Sequence, residues 1–254
     1  MKKILSTVTL AAALVSANAI ADIRIGLDSA PYPPFSEINA SGELVGWEVE
    51  IGAALCEAMG ETCEVVPVAW DGIIPALVAK KIDAIVGSMS ITEERMKTIA
   101  FSDKYYNTPA ALVAAKSADM DGSPESVKGK IIGVQVSTTH QNYAQAHFES
   151  MADTIKTYQN FDEHNQDLAS GRVDAVVGDS LAFEGFLKSD AGKDFEIKAA
   201  LNDEVIFGPG VGAGIRKEDT ELLAKFNAAI AKIREDGTYQ KISEKYFDFD
   251  IYGD

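Results

Sequence analysis

A unit in the middle of this chain occurs twice. Trp70 to Tyr106 reads WDGIIPALVAKKIDAIVGSMSITEERMKTIAFSDKYY, and a shorter version of its first part returns as DEHNQDLASGRVDAVVGDSL from Asp162 to Leu181. Asp71 and Asp162 each stand twelve residues before a second aspartate, Asp83 and Asp174. Each copy then runs through alanine, two branched apolar residues and glycine. A unit repeated with its spacing intact predicts two similar lobes. Beyond that glycine the copies differ: Ser88-Met89-Ser90 with Arg95 nearby in one, Asp179 in the other. An arginine and an aspartate on opposed lobes suit the two ends of a zwitterion.

At 254 residues the chain is long enough for two lobes of ordinary size. Its start is a separate matter. Met1-Lys2-Lys3 is basic, Ile4 to Val15 is mostly apolar, and small-x-small sites follow at Ala17-Asn18-Ala19 and Ala19-Ile20-Ala21. This pattern predicts a secretory signal cleaved near Ala19 or Ala21. The apolar run is too short to span a bilayer, and no cysteine stands there to carry a lipid. The net charge of −16 argues against nucleic acid and against an anionic membrane face. The two cysteines, Cys56 and Cys63, read as one disulfide in an exported protein. A metal site needs more ligands than this pair, and the three histidines (His140, His147, His164) lie far away in sequence.

Periodicity predicts the elements of each half. In the first, Ile23 to Leu27 is a strand, Ala30 to Phe35 a proline-bound loop, and Trp47 to Met59 a helix. Val49, Ala53 and Cys56 mark that helix's apolar face, and Gly60 its end. Thr62 to Val68 is a strand, Ile73 to Ala79 a helix burying Ile73, Ile74, Leu77 and Val78, and Ala84 to Val86 a strand. The second half runs in parallel: a strand at 130–134 with Gly133 matching Gly26, a helix capped within Ser137-Thr138-Thr139, a strand at 155–158, a helix at 165–170 and a strand at 173–177. Such alternation implies parallel α/β sheets. Ser102 to Leu112 and Leu201 to Gly214 read as segments crossing between lobes. Glu218 to Glu235 reads as an amphipathic helix with Leu222, Phe226, Ile230 and Ile233 inward, returning to cover the first lobe, with a short helix from Lys241 after it. Two crossings make a hinge.

In open α/β sheets ligands bind beyond the carboxyl ends of strands. That rule selects Asp28, the 87–90 segment, Gln135 to His140, and Gly178-Asp179-Ser180. Arg95 beside free backbone N–H groups is a carboxylate trap, or else pairs with Glu93 or Glu94. Ser137-Thr138-Thr139 offers anion-binding donors or simple capping. Asp179 ends a buried strand and wants a partner, either a ligand ammonium or a structural lysine. Asp28 with Tyr32 and Trp70 suits a long cationic side chain, although the two aromatics could equally be packing. No nucleophile motif, phosphate-binding glycine loop or metal cluster is present; the glycines from Gly208 to Gly214 lack the helix and acid of a dinucleotide site. No cofactor is implied.

The stretches RIGLD, SGELVGW, LCEAMGETC, WDGIIPAL, KKIDAIVGSMSITEER, IAFSDKYY, VSTTHQNY, FEGFLK, GIRKEDTEL, REDGTYQKI and KYFDFDIYGD span nearly the whole chain after the leader. In them the chain resembles periplasmic binding proteins for polar amino acids, the family 3 solute-binding components of ABC importers. It is most similar to the lysine/arginine/ornithine- and histidine-binding members. The resemblance implies an α/β, two-lobed periplasmic binding protein fold of type II, with the ligand in the interlobe cleft. It implies a signal peptide at residues 1–21, one lobe at 22–107 and 208–254, the other at 110–203, and hinge segments near 107–110 and 203–208. It implies that Arg95, Ser90 and Thr139 grip the ligand α-carboxylate and that Asp179 and Ser88 meet the α-ammonium. Asp28 then faces the cationic side chain, and Tyr32 and Trp70 sandwich its stem. Met89, Gln135 and His140 complete the expected contacts.

Three positions depart from the nearest relatives: Gly87 stands for serine, His140 for glutamine and Gln135 for leucine. Trp70 to Ile73 and Glu163-His164-Asn165 also resemble octopine- and nopaline-binding members, which accept an arginine carrying an extra carboxylate. The implied partners are a basic amino acid, arginine first, or an opine, and an inner-membrane ABC permease, with the protein acting as a monomer in the periplasm. Two other classes remain open. An enzyme resembling cyclohexadienyl dehydratases would use His140 and Asp179 as its only evident proton-transfer groups. The sensing part of a receptor would need a transmembrane or signalling extension.

Overall fold

The computed structural model describes residues 23–253. The predicted leader lies outside the described residues. The chain opens with β1 (Ile23–Asp28), the two-stranded hairpin of β2 (Glu37–Ile38) and β3 (Leu44–Val45), α1 (Trp47–Met59), β4 (Cys63–Val68), α2 (Ile73–Val78), β5 (Ala84–Ile85), α3 (Glu93–Met96) and β6 (Ala100–Tyr106). It continues through β7 (Ala110–Ala115), β8 (Ile131–Gln135), α4 (Thr139–His147), β9 (Thr154–Tyr158), α5 (Phe161–Ala169), β10 (Ala175–Asp179), α6 (Phe183–Lys188) and β11 (Phe195–Leu201). It ends with α7 (Glu204–Phe207), β12 (Val211–Ile215), α8 (Thr220–Glu235) and α9 (Thr238–Ser243).

Two five-stranded sheets form the two lobes, in the orders β4-β1-β5-β12-β6 and β11-β7-β10-β8-β9. The parallel set β4-β1-β5 corresponds to β9-β8-β10. The repeated aspartates do the same work in both. Arg24 N–H donates to Asp83 Oδ2 at 3.1 Å while Asp83 N–H donates to Arg24 O at 2.7 Å. Ile131 N–H donates to Asp174 Oδ2 at 2.8 Å while Asp174 N–H donates to Ile131 O at 2.8 Å. Each aspartate thus ties its strand to the neighbouring parallel strand, β5 to β1 and β10 to β8. Asp83 also takes Arg24 and the buried Arg216, and these donors outweigh burial to hold its carboxyl down at about 2. A Cβ at Gly26 would meet Ile82 Cδ1 at 2.3 Å, so a larger residue there would push that side chain aside.

The sheets are mixed, which corrects the expectation of parallel sheets. One inner strand of each sheet, β12 in one and β7 in the other, follows directly on a crossing from the opposite lobe and runs antiparallel to its neighbours. The cause is the crossing: β7 and β12 begin where the chain enters from the other lobe, at the cleft end where the parallel strands finish, as the pairing of Ala110 with Asp179 shows. Residues 107–109 alone separate β6 from β7. What reads in the sequence as one irregular crossing from Ser102 to Leu112 is therefore two strands joined by a short link. Likewise β11, α7 and β12 border or occupy the second crossing.

Helix α1 ends at Gly60, whose left-handed φ of 71° closes the last turn. Its buried face is Glu48, Ile51, Gly52 and Leu55, with Trp47 and Cys56 beside it; Ala53 is exposed, so the helix is turned from the face that Val49 and Ala53 predict. In α2, Ala76 is buried and Val78 faces solvent at 52% exposure. Helix α5 starts earlier than its sequence pattern, because Asn160 Oδ1 accepts from Glu163 N–H at 3.0 Å and caps it. Helix α8 returns to the first lobe, where Phe226, Ile230 and Ile233 join a core with Trp47, Ile51 and Leu55.

Cys56 and Cys63 are bonded across seven positions, pinning the end of α1 to the start of β4. Loop-closure entropy for so short a ring predicts a contribution of about 2.5 kcal/mol. Replacing both cysteines by serine is expected to lower the unfolding free energy by about that amount in urea titration.

Candidate functional site

The cleft between the sheets is lined from both lobes, and strand ends supply its corners. Asp28 is the last residue of β1, Gln135 of β8 and Asp179 of β10. Tyr32, Trp70, Ser88, Ser90 and Arg95 line it from the first lobe, and Thr139 and His140, at the start of α4, from the second.

Arg95 follows the cap of α3, where Thr92 Oγ1 accepts Arg95 N–H at 3.2 Å. Its guanidinium donates to two carbonyls, Ser90 O at 3.0 Å and Ser137 O at 3.2 Å, so its hydrogen bonds do not go to Glu93 or Glu94. It lies 5.6 Å from the centre of the Trp70 ring. Trp70 Nε1 donates to the same Ser137 carbonyl at 3.1 Å, which ties the two lobes together. Burial lowers the Arg95 pKa to about 10. The group remains cationic at neutral pH, and its remaining N–H donors are available to an anion. On the opposite wall Thr138 caps α4: its Oγ1 accepts Gln141 N–H at 3.1 Å and donates to Gln135 O at 2.7 Å. Thr139, buried beside it, lines the cleft.

Among the described residues, Asp179 meets neither lysine nor arginine. Tyr32 Oη donates to it at 2.5 Å and Thr108 Oγ1 at 2.7 Å, and His140 Nε2 lies 3.4 Å away. Burial pushes this carboxyl up, but His140, Tyr32 and Thr108 outweigh it and hold the group below its ordinary value. Tyr32 rests on Phe35 and, edge-on, on Phe161 of the other lobe at 5.1 Å. Asp28 accepts Ala30 N–H at 3.1 Å and the Gln135 amide at 3.4 Å, and Gln135 also donates to Gln159 O at 3.2 Å. These donors are neutral, and burial raises the Asp28 pKa.

Ten of the eleven expected ligand residues therefore border one cleft. Met89 does not. Its side chain is 1% exposed, in a core cluster with Ile73, Ile82, Ile85 and Ile99. Ser88 and Ser90 border the cleft while the Met89 side chain turns into the core, which corrects the expectation that Met89 contacts the ligand.

A model of the bacterial extracellular solute-binding proteins, family 3, matches residues 23–249. The chain belongs to this family. It is 44% identical over 260 residues to the histidine-binding periplasmic protein of Escherichia coli, covering all of both chains. It is 45% identical over 258 residues to the L-arginine-binding protein of Pseudomonas aeruginosa, covering 100% of this chain and 99% of that one. Among solved structures it is similar to an ancestral arginine-binding protein bound to arginine, with a TM-score of 0.83 and 37% identity, covering 89% of this chain and 98% of the other.

This solute-binding protein also carries cleft residues that strand-end reasoning passes over. Glu48 is 2% exposed yet lines the cleft, with both oxygens occupied by hydrogen bonds from Ser88 and Tyr105. Its signal was available: Glu48, Ile51, Gly52 and Leu55 share one helical face. Thr108, in the first crossing, and Phe161 also line the cleft. His164 does too; it is fully buried, and neither ring nitrogen finds a hydrogen-bond partner among the described residues. Burial, with His140 nearby, pushes its pKa down to about 3, so the imidazole is neutral.

Proposed function

We propose that this solute-binding protein captures a basic L-amino acid, arginine before lysine, ornithine and histidine, and hands it to the permease of an ABC importer. The observation that carries the reading is the charge order of the cleft. Arg95 stands on one wall, Asp179 closes the other, and Asp28 is a further carboxylate bonded to neutral donors. Arg95 with Ser90 and Thr139 takes the α-carboxylate, and Asp179 with Ser88 takes the α-ammonium. Asp28 and Gln135 take the cationic end of the side chain, with Tyr32 and Trp70 flanking its stem. The likeness to histidine- and arginine-binding relatives supports this. An opine is not favoured, because its extra carboxylate would enter a cleft that already holds the acids Asp28, Glu48 and Asp179. The reading is one of binding and release without chemical conversion of the ligand.

In this reading the chain is exported, its leader is cleaved near Ala19 or Ala21, and it works in the periplasm as a monomer. The lobes at 22–107 with 208–254, and at 110–203, close about the segments near 107–110 and 203–208. A ligand that contacts both lobes stabilises the closed arrangement through contacts that exist only there.

A thermal-shift panel of arginine, lysine, ornithine, histidine, glutamine and octopine tests this. Ligand at about a thousand times its dissociation constant adds roughly 4 kcal/mol, a shift on the order of 10 °C for a chain of this size. Absence of a shift with every basic amino acid would sink the reading. Asp28→Asn is expected to remove most of the arginine shift and to leave any glutamine shift in place. Equal loss for both would count against the role of Asp28.

A further inference from the structure

Ser88 has a left-handed backbone, φ 54°, and sits at the centre of a fixed hydrogen-bond relay. Its N–H donates to Glu48 Oε1 at 2.7 Å and its hydroxyl donates to Glu48 Oε2 at 2.8 Å. Tyr105 Oη donates to Glu48 Oε1 at 2.5 Å, and Tyr106 Oη donates to Ser88 Oγ at 2.7 Å. A serine hydroxyl has one proton and two acceptor lone pairs. Here the proton goes to Glu48 and one lone pair to Tyr106. What remains is a single acceptor position. Ser88 and Glu48 border the same cleft as Asp179, which belongs to the other lobe.

We propose that Glu48 is a positioning residue that holds the Ser88 hydroxyl as an acceptor for the ligand α-ammonium, opposite Asp179. The proposal rests on the amino-acid reading above. Burial pushes the Glu48 carboxyl up and the Asp179 charge adds to this, while the Tyr105 and Ser88 donors oppose it. Two carboxylates from opposed lobes thus sense one another, and a cation between them relieves that repulsion. Glu48 selects for the ammonium without touching it.

Glu48→Gln tests the polarity directly. Oε1 still faces two donors, Ser88 N–H and Tyr105 Oη, so the amide oxygen takes that place. The amide nitrogen then faces Ser88 Oγ and donates to it. With Tyr106 donating as well, both lone pairs are filled and the hydroxyl proton turns toward the ligand. Calorimetry with arginine is expected to show affinity weakened about tenfold or more. Affinity for 5-guanidinopentanoate, which lacks the α-amino group, should stay unchanged. In a Ser88→Ala background the same change should move arginine affinity by less than about threefold, because no hydroxyl remains to be turned. Equal losses in both backgrounds, or for both ligands, would overturn the proposal. A wild-type protein that binds no basic amino acid would instead overturn the functional reading. Should Glu48→Gln not fold, Ser88→Ala alone carries the test, since it should weaken arginine about tenfold and spare the des-amino analogue.

Discussion

Replacing Arg95 by alanine is expected to abolish tight binding of every amino acid, whatever its side chain. The guanidinium donates to Ser90 O and Ser137 O and keeps further N–H donors for an anion. Those carbonyls and Trp70 hold it in place, so a carboxylate meets a preorganised fork rather than a mobile chain. Truncating one partner of a buried, hydrogen-bonded charge pair weakens binding by roughly 2–5 kcal/mol, about 30-fold to several thousand-fold. The loss should be the same for arginine, lysine and histidine, because the α-carboxylate is common to all. Agmatine, which is arginine without that carboxylate, should bind the variant about as well as it binds the wild type. Calorimetry on both ligands decides it, and tight residual binding of arginine would refute the assignment. Arg95 is half-buried in a short helix, so the variant should fold.

Replacing His164 by leucine is expected to stabilise the protein in mild acid. The imidazole pKa falls from an ordinary 6.5 to about 3 in the folded chain, because burial disfavours the charged ring. Between those values the unfolded chain binds a proton that the folded chain does not. Stability therefore falls as pH drops below 6.5, by about 1.4 kcal/mol per unit, or roughly 2 kcal/mol at pH 5. Leucine removes that dependence, and it also removes two buried ring nitrogens without hydrogen-bond partners among the described residues. Urea unfolding of both proteins at pH 5 and pH 7.5 is the measurement. The advantage of the variant should be largest at pH 5 and shrink toward neutrality. An advantage independent of pH would mean that His164 is not the group that resists protonation.

Much of the architecture was legible because it rests on local pattern. The doubled aspartate spacing predicts two lobes, and Asp83 and Asp174 make the same pair of backbone hydrogen bonds in each. The amphipathic period of α8 predicts a helix that buries Phe226, Ile230 and Ile233. Strand-end reasoning finds Asp28, Gln135 and Asp179. It also carries Met89 into the cleft by adjacency, since a segment is chosen whole while its side chains divide between cleft and core. The mixed sheets were not legible, because strand direction depends on where the crossing chain lands.

Glu48 and His164 show where pattern stops. An acid on the apolar face of a helix carries a large desolvation penalty, so a reading by hydrophobicity turns α1 until Val49 and Ala53 face inward. Glu48 is tolerated because Ser88 and Tyr105, 40 and 57 positions away, bring it three donors. Asp179 likewise keeps its charge through Tyr32 and Thr108, 147 and 71 positions away. From composition and spacing alone came the two lobes, the cysteine pair and the acids and arginine that suit a cationic zwitterion. Which polar groups sit buried, and which way each hydroxyl must point, waited on the packing of distant segments, because desolvation is set by neighbours that the linear order does not place together.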